Sequence, residues 1–338
     1  MTVALTGGQL AAPVPLLDLK SYDRIVIALS GGKDSVASTL ALLEAGARPE
    51  QLIFIHHEVD GREGSTLMDW GATPGYCQAF ADHFGAPLIH SWREGGFEGE
   101  MLRHNATTGA VNFEIGGELI HLPPSASAPL GTRQAFPQVA ADLSVRWCSS
   151  VLKIDVADRV LRNHPMFQNS RTLFVTGERG EESANRAKYA AFEPHRADRR
   201  NGKHRRHVDH VRPVLRWSET EIWAIMQRHG IRPHPAYEAG FGRLSCRNCI
   251  FAGDAQWATL ALFDPDGFER IATYEDQFDR TIHRSKDVRS RARSALPFAA
   301  ATQERMAAAM APFEGPIWID PSLWMMPAGA FQKHGGPV

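Results

Sequence analysis

The sequence predicts an α/β fold, a doubly wound and mainly parallel sheet with a helical C-terminal extension. Three observations carry that expectation. Short apolar runs of strand length alternate with segments of helical spacing, which is the signature of βαβ units covered on both faces. The first apolar run, Arg24–Leu29, ends in a Gly-Gly turn that opens a helix. The 338 residues are 43% hydrophobic and 22% charged, ordinary for a globular chain with a sizeable core.

The elements follow in order. After Arg24–Leu29, the positions Val36, Thr39, Leu40 and Leu43 keep helical spacing, with Gly46 as a stop. Gln51–His56 reads as a second strand, Tyr76–Phe84 as a second helix and Ala86–His90 as a third strand. Residues 95–145 are rich in Gly, Pro, Ser and Ala and read as an irregular insertion or lid. The pattern resumes with a helix over Leu152–Leu161 and a strand over Thr172–Thr176. Ser218-x-x-Glu221 is a capping box ahead of Ile222, Ile225 and Met226. From about residue 253 the chain reads as helical. The domain division is therefore 20–255, containing the insertion, and 256–338, a helical extension with a Pro/Gly-rich tail.

Net charge is −1, so any contact with nucleic acid has to be local. No apolar run approaches the roughly 18 residues a membrane span needs. The N-terminal residues lack a basic region followed by an apolar stretch, so the expected compartment is the cytoplasm and no membrane partner is expected. Four cysteines do not make a disulfide scaffold and read as metal, cluster or redox candidates.

The chemistry concentrates in a few places. Ser30-Gly31-Gly32-Lys33-Asp34-Ser35 lies between a buried strand and a helix. Such a turn gathers backbone N–H groups at a helix N-terminus, where the dipole also favours an anion. Gly31 and Gly32 let phosphates approach closely, Lys33 adds charge, Asp34 is placed to bind Mg²⁺, and Ser30 and Ser35 supply hydroxyls. The spacing is not that of a Walker A loop. At the end of the second strand, Asp60 is a candidate for ribose, metal or substrate contact, beside His56 and His57. In Gly177-Glu-Arg179-Gly-Glu-Glu-Ser-Ala-Asn-Arg186 the two arginines are seven apart, which on a helix starting near Gly180 puts them on one face. Guanidinium groups take phosphate or sulfate oxygens bidentately.

Ser-Gly-Gly-Lys-Asp-Ser resembles the PP-loop of the ATP pyrophosphatase superfamily. Gly-x-Arg-x-x-Glu-Ser-x-x-Arg resembles the second motif of the phosphoadenosine phosphosulfate (PAPS) reductase-like family. That family includes adenylylsulfate reductases, the small subunit of ATP sulfurylase and DNA phosphorothioation sulfurtransferases. Arg212-Pro213-Val214-x-x-Trp217-Ser218-x-x-Glu221-Ile222-Trp223 and His234-Pro235-x-Tyr237-x-x-Gly240-Phe241 extend the resemblance over roughly residues 20–255. It implies the adenine nucleotide alpha-hydrolase-like fold, with ATP, PAPS or adenylylsulfate as ligand and Mg²⁺ as cofactor. Chemistry would fall at the α-phosphate, with adenylylation, release of pyrophosphate and a link to sulfur transfer. Lys33, Asp34, Arg179 and Arg186 are then the catalytic candidates. Ser30, Gly31, Gly32, Lys33, Asp34, Ser35, Asp60 and Gly177 would bind the nucleotide.

Cys246-Arg-Asn-Cys249 is a C-x-x-C pair, and Cys148 lies far upstream ahead of Leu152-Lys153-Ile154. By resemblance these three cysteines match the ligands of a [4Fe–4S] cluster. A Zn²⁺ site and a reduced pair stay open as readings. The fourth ligand is unassigned, with Cys77, a histidine or an external group as candidates. The reductases of the family carry a nucleophilic cysteine near their end, and no cysteine follows Cys249 here. Sulfonucleotide reduction is therefore the alternative rather than the leading expectation. The stretch 195–212 holds Arg196, Arg199, Arg200, Lys203, Arg205, Arg206 and Arg212. It is a candidate contact for nucleic acid or polyphosphate, or else a solvated loop. A non-catalytic nucleotide-sensing or nucleic-acid-binding subunit, acting with a partner protein, is the remaining alternative.

Overall fold

The computed structural model describes residues 17–332. The strands are β1 (Arg24–Ala28), β2 (Leu52–Glu58), β3 (Leu88–Arg93), β4 (Val111–Ile115), β5 (Glu118–Leu122), β6 (Arg171–Val175), β7 (Phe192–Pro194) and β8 (His207–Val211). They form one sheet in the order β5-β4-β3-β2-β1-β6-β8-β7. The pairs β1–β2, β1–β6, β2–β3 and β6–β8 are parallel, and the two edges are antiparallel. The sheet is thus doubly wound and mainly parallel, as the alternating pattern predicts.

The helices are α1 (Lys33–Glu44), α2 (Ala72–His83), α3 (Gly96–Met101), α4 (Trp147–Ser149), α5 (Asp155–Asn163), α6 (Glu219–Arg228), α7 (Pro235–Glu238), α8 (Asp254–Phe263), α9 (Pro265–Phe278), α10 (Val288–Arg293) and α11 (Gln303–Met310). Side chains alternate across β1 with period two, so Ile25 and Ile27 enter one core while Val26 enters the other. On the first face lie Val36 and Leu40 of α1, Phe80 of α2 and Trp223 of α6. On the second, Val160 and Leu161 of α5 meet Ile53, Ile55 and Ile89. Each such fully buried aliphatic side chain contributes about 1.5–3 kcal/mol. The capping box at Ser218 forms as read. Ser218 Oγ accepts the Glu221 N–H at 3.3 Å, and Glu221 Oε2 accepts the Ser218 N–H at 2.7 Å.

Three expectations need correction. Residues 95–145 are not irregular throughout, because α3 and the β4–β5 hairpin lie inside them and β4 extends the sheet beside β3. They and the C-terminal helices also share a third core, in which Phe97, Trp147, Trp257, Phe268 and Ile271 pack together. A loose lid and an appended extension would each leave that apolar surface in water. The helix expected over Leu152–Leu161 begins as a π-helical turn at Ser150–Ile154 before α5. The last six residues of the Pro/Gly-rich tail lie outside the described residues.

Candidate anion site and cysteine pocket

The chain runs β1, β2, β3 outward on one side of the sheet and returns to β6 on the other side of β1. The carboxyl ends of β1 and β6 therefore flank the switch point, where open α/β sheets bind ligands. Ser30–Ser35 follows β1 and Gly177–Arg186 follows β6, so the fold brings the two strongest sequence signals together.

Gly31 adopts φ +75°, a left-handed conformation that glycine supplies without strain, and Gly32 caps α1. Ser35 Oγ donates to Gly32 O at 2.9 Å, and Ser30 Oγ accepts the Gly32 N–H at 3.3 Å, so both hydroxyls hold the turn. The Lys33 stem is buried beside Trp223 and Tyr237, with its Nζ 5.8 and 5.6 Å from the ring centroids. Its ammonium donates to Gly242 O at 3.3 Å and lies 3.7 Å from both Asp34 Oδ2 and Glu219 Oε1. Burial alone would push Lys33 down, but the charges of Asp34, Tyr237 and Glu219 hold it above its ordinary value.

Arg179 is buried, and its Nε donates to Asp34 Oδ1 at 2.5 Å while Nη1 reaches Glu181 Oε2 at 2.7 Å. Arg186 pairs with Glu182 Oε2, which also accepts the Arg179 N–H at 3.1 Å. Arg179 and Arg186 are not on one helix face. Two separate 3₁₀ turns, Gly180–Glu182 and Arg186–Lys188, replace the expected helix, with Ser183 extended between them. The arginines still converge, because Glu182 ties one backbone and the other side chain. Gly177 packs under the loop, where a Cβ would lie 2.8 Å from the Asp34 carbonyl and the Ser35 nitrogen.

Asp60 is placed differently from the expectation. Its Oδ2 accepts the N–H groups of Met68 at 2.7 Å and Asp69 at 2.8 Å, so this buried carboxylate organises the 65–69 loop rather than offering itself to a ribose. Burial, then the charge of Asp69, pushes Asp60 up to about 6. His56 Nδ1–H donates to Leu29 O at 2.9 Å, and burial lowers the imidazole to about 4, leaving it neutral.

Sequence reading missed several partners. Tyr237 Oη accepts both the Lys33 N–H at 3.1 Å and the Leu244 N–H at 3.2 Å, tying the loop after α7 to the glycine turn. Arg243 faces Glu182 Oε1 at 3.8 Å. Glu219, one residue beyond the quoted capping serine, accepts from Trp223 Nε1 and from the Phe331 N–H. Only the buried aromatic positions after Arg212 signalled these contacts in advance.

Cys148, Cys246 and Cys249 border the third core together. Burial and the charge of Cys249 raise Cys148 to about 11, and Cys246 is pushed up by burial. Lys153, on the π-helical turn, feels Cys246, Cys148, Asp69 and Cys249, whose charges outweigh its desolvation. Among the described residues no three His, Cys, Asp or Glu groups already stand at metal-holding distances. Three sulfurs with an ammonium beside them thus border one core without forming a metal-holding set as they stand. Cys77 does not complete it. That thiol is buried against Leu29 O at 3.8 Å and His56 Nδ1 at 3.6 Å, in the first core.

The stretch 195–212 is largely neutralised within the fold. Arg196 pairs with Asp158, Arg200 with Asp198 and Asp209, and Arg212 with Glu193. Arg206 is buried and donates to Ala197 O and Arg162 O, and part of the stretch is β8 itself. Arg199, Lys203 and Arg205 lack a carboxylate partner among the described contacts. A shallow cavity of about 700 Å³, lined by Arg24, Arg48, Gln51 and Ser170, opens at the amino ends of the strands, away from this chemistry.

Residues 126–252 match the family described as the phosphoadenosine phosphosulfate reductase domain. That segment, less than half of this chain, is similar to the family. The matched segment holds Cys148, Arg179, Arg186, Cys246 and Cys249, while Ser30–Ser35 lies upstream of it. An uncharacterised 37.8 kDa protein of Escherichia phage 186 is 32% identical over 142 residues, 41% of this chain and 39% of that protein. An adenosine 5′-phosphosulfate reductase of Allochromatium vinosum is 30% identical over 105 residues, 31% of this chain and 35% of the reductase. The chain thus spans well under half the length of these relatives. Among solved structures, a Candida glabrata FMN adenylyltransferase with FMN and an ATP analogue aligns over 91% of this chain and 81% of its own, at 11% identity and a TM-score of 0.38. No helix among the described residues is long and apolar enough to cross a membrane.

Proposed function

We propose that this chain binds an adenine nucleotide with its phosphates at Ser30–Ser35 and acts at the α-phosphate, releasing pyrophosphate. The observation that carries this reading is the meeting of four groups at the β1/β6 switch point: the Gly31 turn, Lys33, Arg179 and Arg186. The Lys33 ammonium and the positive end of the α1 dipole stabilise charge developing on the leaving pyrophosphate. Mg²⁺, with Asp34 as its protein ligand, would neutralise the phosphate chain further. Arg179 and Arg186 orient the anionic end or an anionic acceptor once their carboxylate partners yield.

The test is incubation with ATP and Mg²⁺, with and without sulfate or nucleic acid as acceptor, following pyrophosphate and AMP. Production by the wild type and its loss in Lys33→Met support the reading. Equal output from both, or none from either, overturns it.

The similarity to an adenosine 5′-phosphosulfate reductase favours a second reading, sulfonucleotide reduction, which sulfite release from PAPS or adenylylsulfate with thioredoxin tests. Cys148, Cys246 and Cys249 would hold an iron–sulfur or zinc centre in either case. A broad absorbance near ~400 nm in protein purified without oxygen, lost in Cys246→Ser, supports a cluster. A colourless protein containing zinc supports the other metal.

A further inference from the structure

Arg243 was absent from every motif of the sequence reading, yet it lies between two residues that touch the phosphate loop. On one side, Gly242 O accepts from Lys33 Nζ at 3.3 Å. On the other, the Leu244 N–H donates to Tyr237 Oη, which also accepts the Lys33 N–H. The Leu244 side chain rests on the glycine turn, where Cβ atoms added at Gly31 and Gly32 would meet it at 3.4 and 3.5 Å. The backbone on both sides of Arg243 is therefore pinned to the site, and the guanidinium has little freedom to leave it.

Its bonding is incomplete. The only ion pair formed by Arg243 among the described residues is the long one to Glu182 Oε1 at 3.8 Å. Nη1 is buried and has no hydrogen-bond partner among the described residues. A buried guanidinium N–H left unpaired costs free energy that a bound anion would recover. Burial raises the Asp34 carboxyl, but the charges of Lys33, Arg179 and Arg243 together outweigh that effect, so Arg243 is electrostatically part of the site.

The carboxylates nearby explain why the guanidinium is available. Lys33, Arg179, Arg186 and Arg243 face Asp34, Glu181, Glu182 and Glu219. Glu182 is shared between Arg186 and Arg243, so it serves neither fully. An incoming polyanion competes most easily at Arg243, where the existing contact is longest.

We propose that Arg243 is a binding and specificity residue of the anion site, donating through Nη1 to an oxygen of the nucleotide's phosphate chain. This rests on the reading of Ser30–Ser35 as the phosphate site and adds a third guanidinium to it. Selectivity follows from charge, with ligands bearing a pyrophosphate or triphosphate gaining and uncharged nucleosides gaining nothing.

The experiment measures binding of inorganic pyrophosphate, ATP and adenosine, each with Mg²⁺, to the wild type, Arg243→Ala, Glu182→Gln and Lys33→Met. One charged hydrogen bond corresponds to about 10- to 150-fold in affinity. Arg243→Ala is expected to weaken pyrophosphate and ATP by that order, with adenosine binding and melting temperature unchanged. Glu182→Gln frees Arg243 and is expected to tighten pyrophosphate. That opposite sign separates a binding role from a merely structural pair. Wild-type pyrophosphate affinity in Arg243→Ala, with Lys33→Met impaired, overturns the Arg243 assignment and leaves the site standing. Parallel weakening in Arg243→Ala and Glu182→Gln overturns it too. A folded wild type that binds neither pyrophosphate nor ATP overturns the site and the Arg243 assignment together.

Discussion

The Ser30–Ser35 crevice and the 195–212 stretch both carry cations that read as anion binders in the sequence, and the fold treats them in opposite ways. In the crevice, Lys33, Arg179, Arg186 and Arg243 converge from three segments on one strand end. Their partners are carboxylates at the same place, and a buried N–H is left over. In 195–212 the partners belong to the scaffold. Arg196 holds Asp158 of α5, Arg200 holds Asp209 of β8, and Arg206 binds carbonyls. The proposed site rests on that convergence, whereas dispersal onto scaffold partners builds the framework. Counting positive charges along the chain cannot separate the two.

Variants sharpen the contrast, beginning with the largest effect. Lys33→Met keeps the apolar stem against Trp223 and Tyr237 and removes only the charge. It is expected to weaken pyrophosphate and ATP by about 100-fold, measured by calorimetric titration, with little change in stability. Arg206→Ala should do the reverse. It strands the carbonyls of Ala197 and Arg162 and is expected to cost about 2–3 kcal/mol in chemical denaturation, with nucleotide affinity intact.

Gly177→Ala tests how closely β6 underlies the loop. A methyl 2.8 Å from the Asp34 carbonyl has to move the loop backbone, so about 1–3 kcal/mol of stability and a matching part of the phosphate affinity should go together. The acidic pair near the cysteine pocket gives a smaller effect. Burial raises Asp60 and Asp69 from 3.8 to about 6, and the charge of Asp69 adds to the rise at Asp60. Between about pH 4 and 6 the folded protein then holds more protons than the unfolded chain, so this pair adds stability as pH falls and loses it as pH rises. Asp69→Asn should flatten that part of the pH–stability curve. Neutralising Arg199, Lys203 and Arg205 together should alter stability by less than about 0.5 kcal/mol, and salt-sensitive nucleic-acid binding lost in that variant would support a nucleic-acid contact at this stretch.

The sheet and the loop were legible because each rests on local chemistry. Apolar runs five residues long make strands wherever both faces are covered, and Gly31 announces its left-handed turn by having no Cβ. The helix after Gly180 was misread because Glu182 accepts both a backbone amide and the Arg186 guanidinium, and such side-chain competition leaves no periodic trace. Arg243 and Tyr237 were missed as site residues because their positions depend on a return of the chain more than 200 residues after the loop. The order in 95–145 was hidden for the same reason, since Phe97 and Phe136 find their core only when α8 and α9 arrive.

The central claim is that a nucleotide's phosphates occupy the Ser30–Ser35 turn. Calorimetric titration of inorganic pyrophosphate with Mg²⁺ into the wild type and Lys33→Met, at matched melting temperature, tests it most directly. Saturable heat from the wild type and none from Lys33→Met is the predicted result. Equal heats, or a folded wild type that takes up no pyrophosphate, would contradict it.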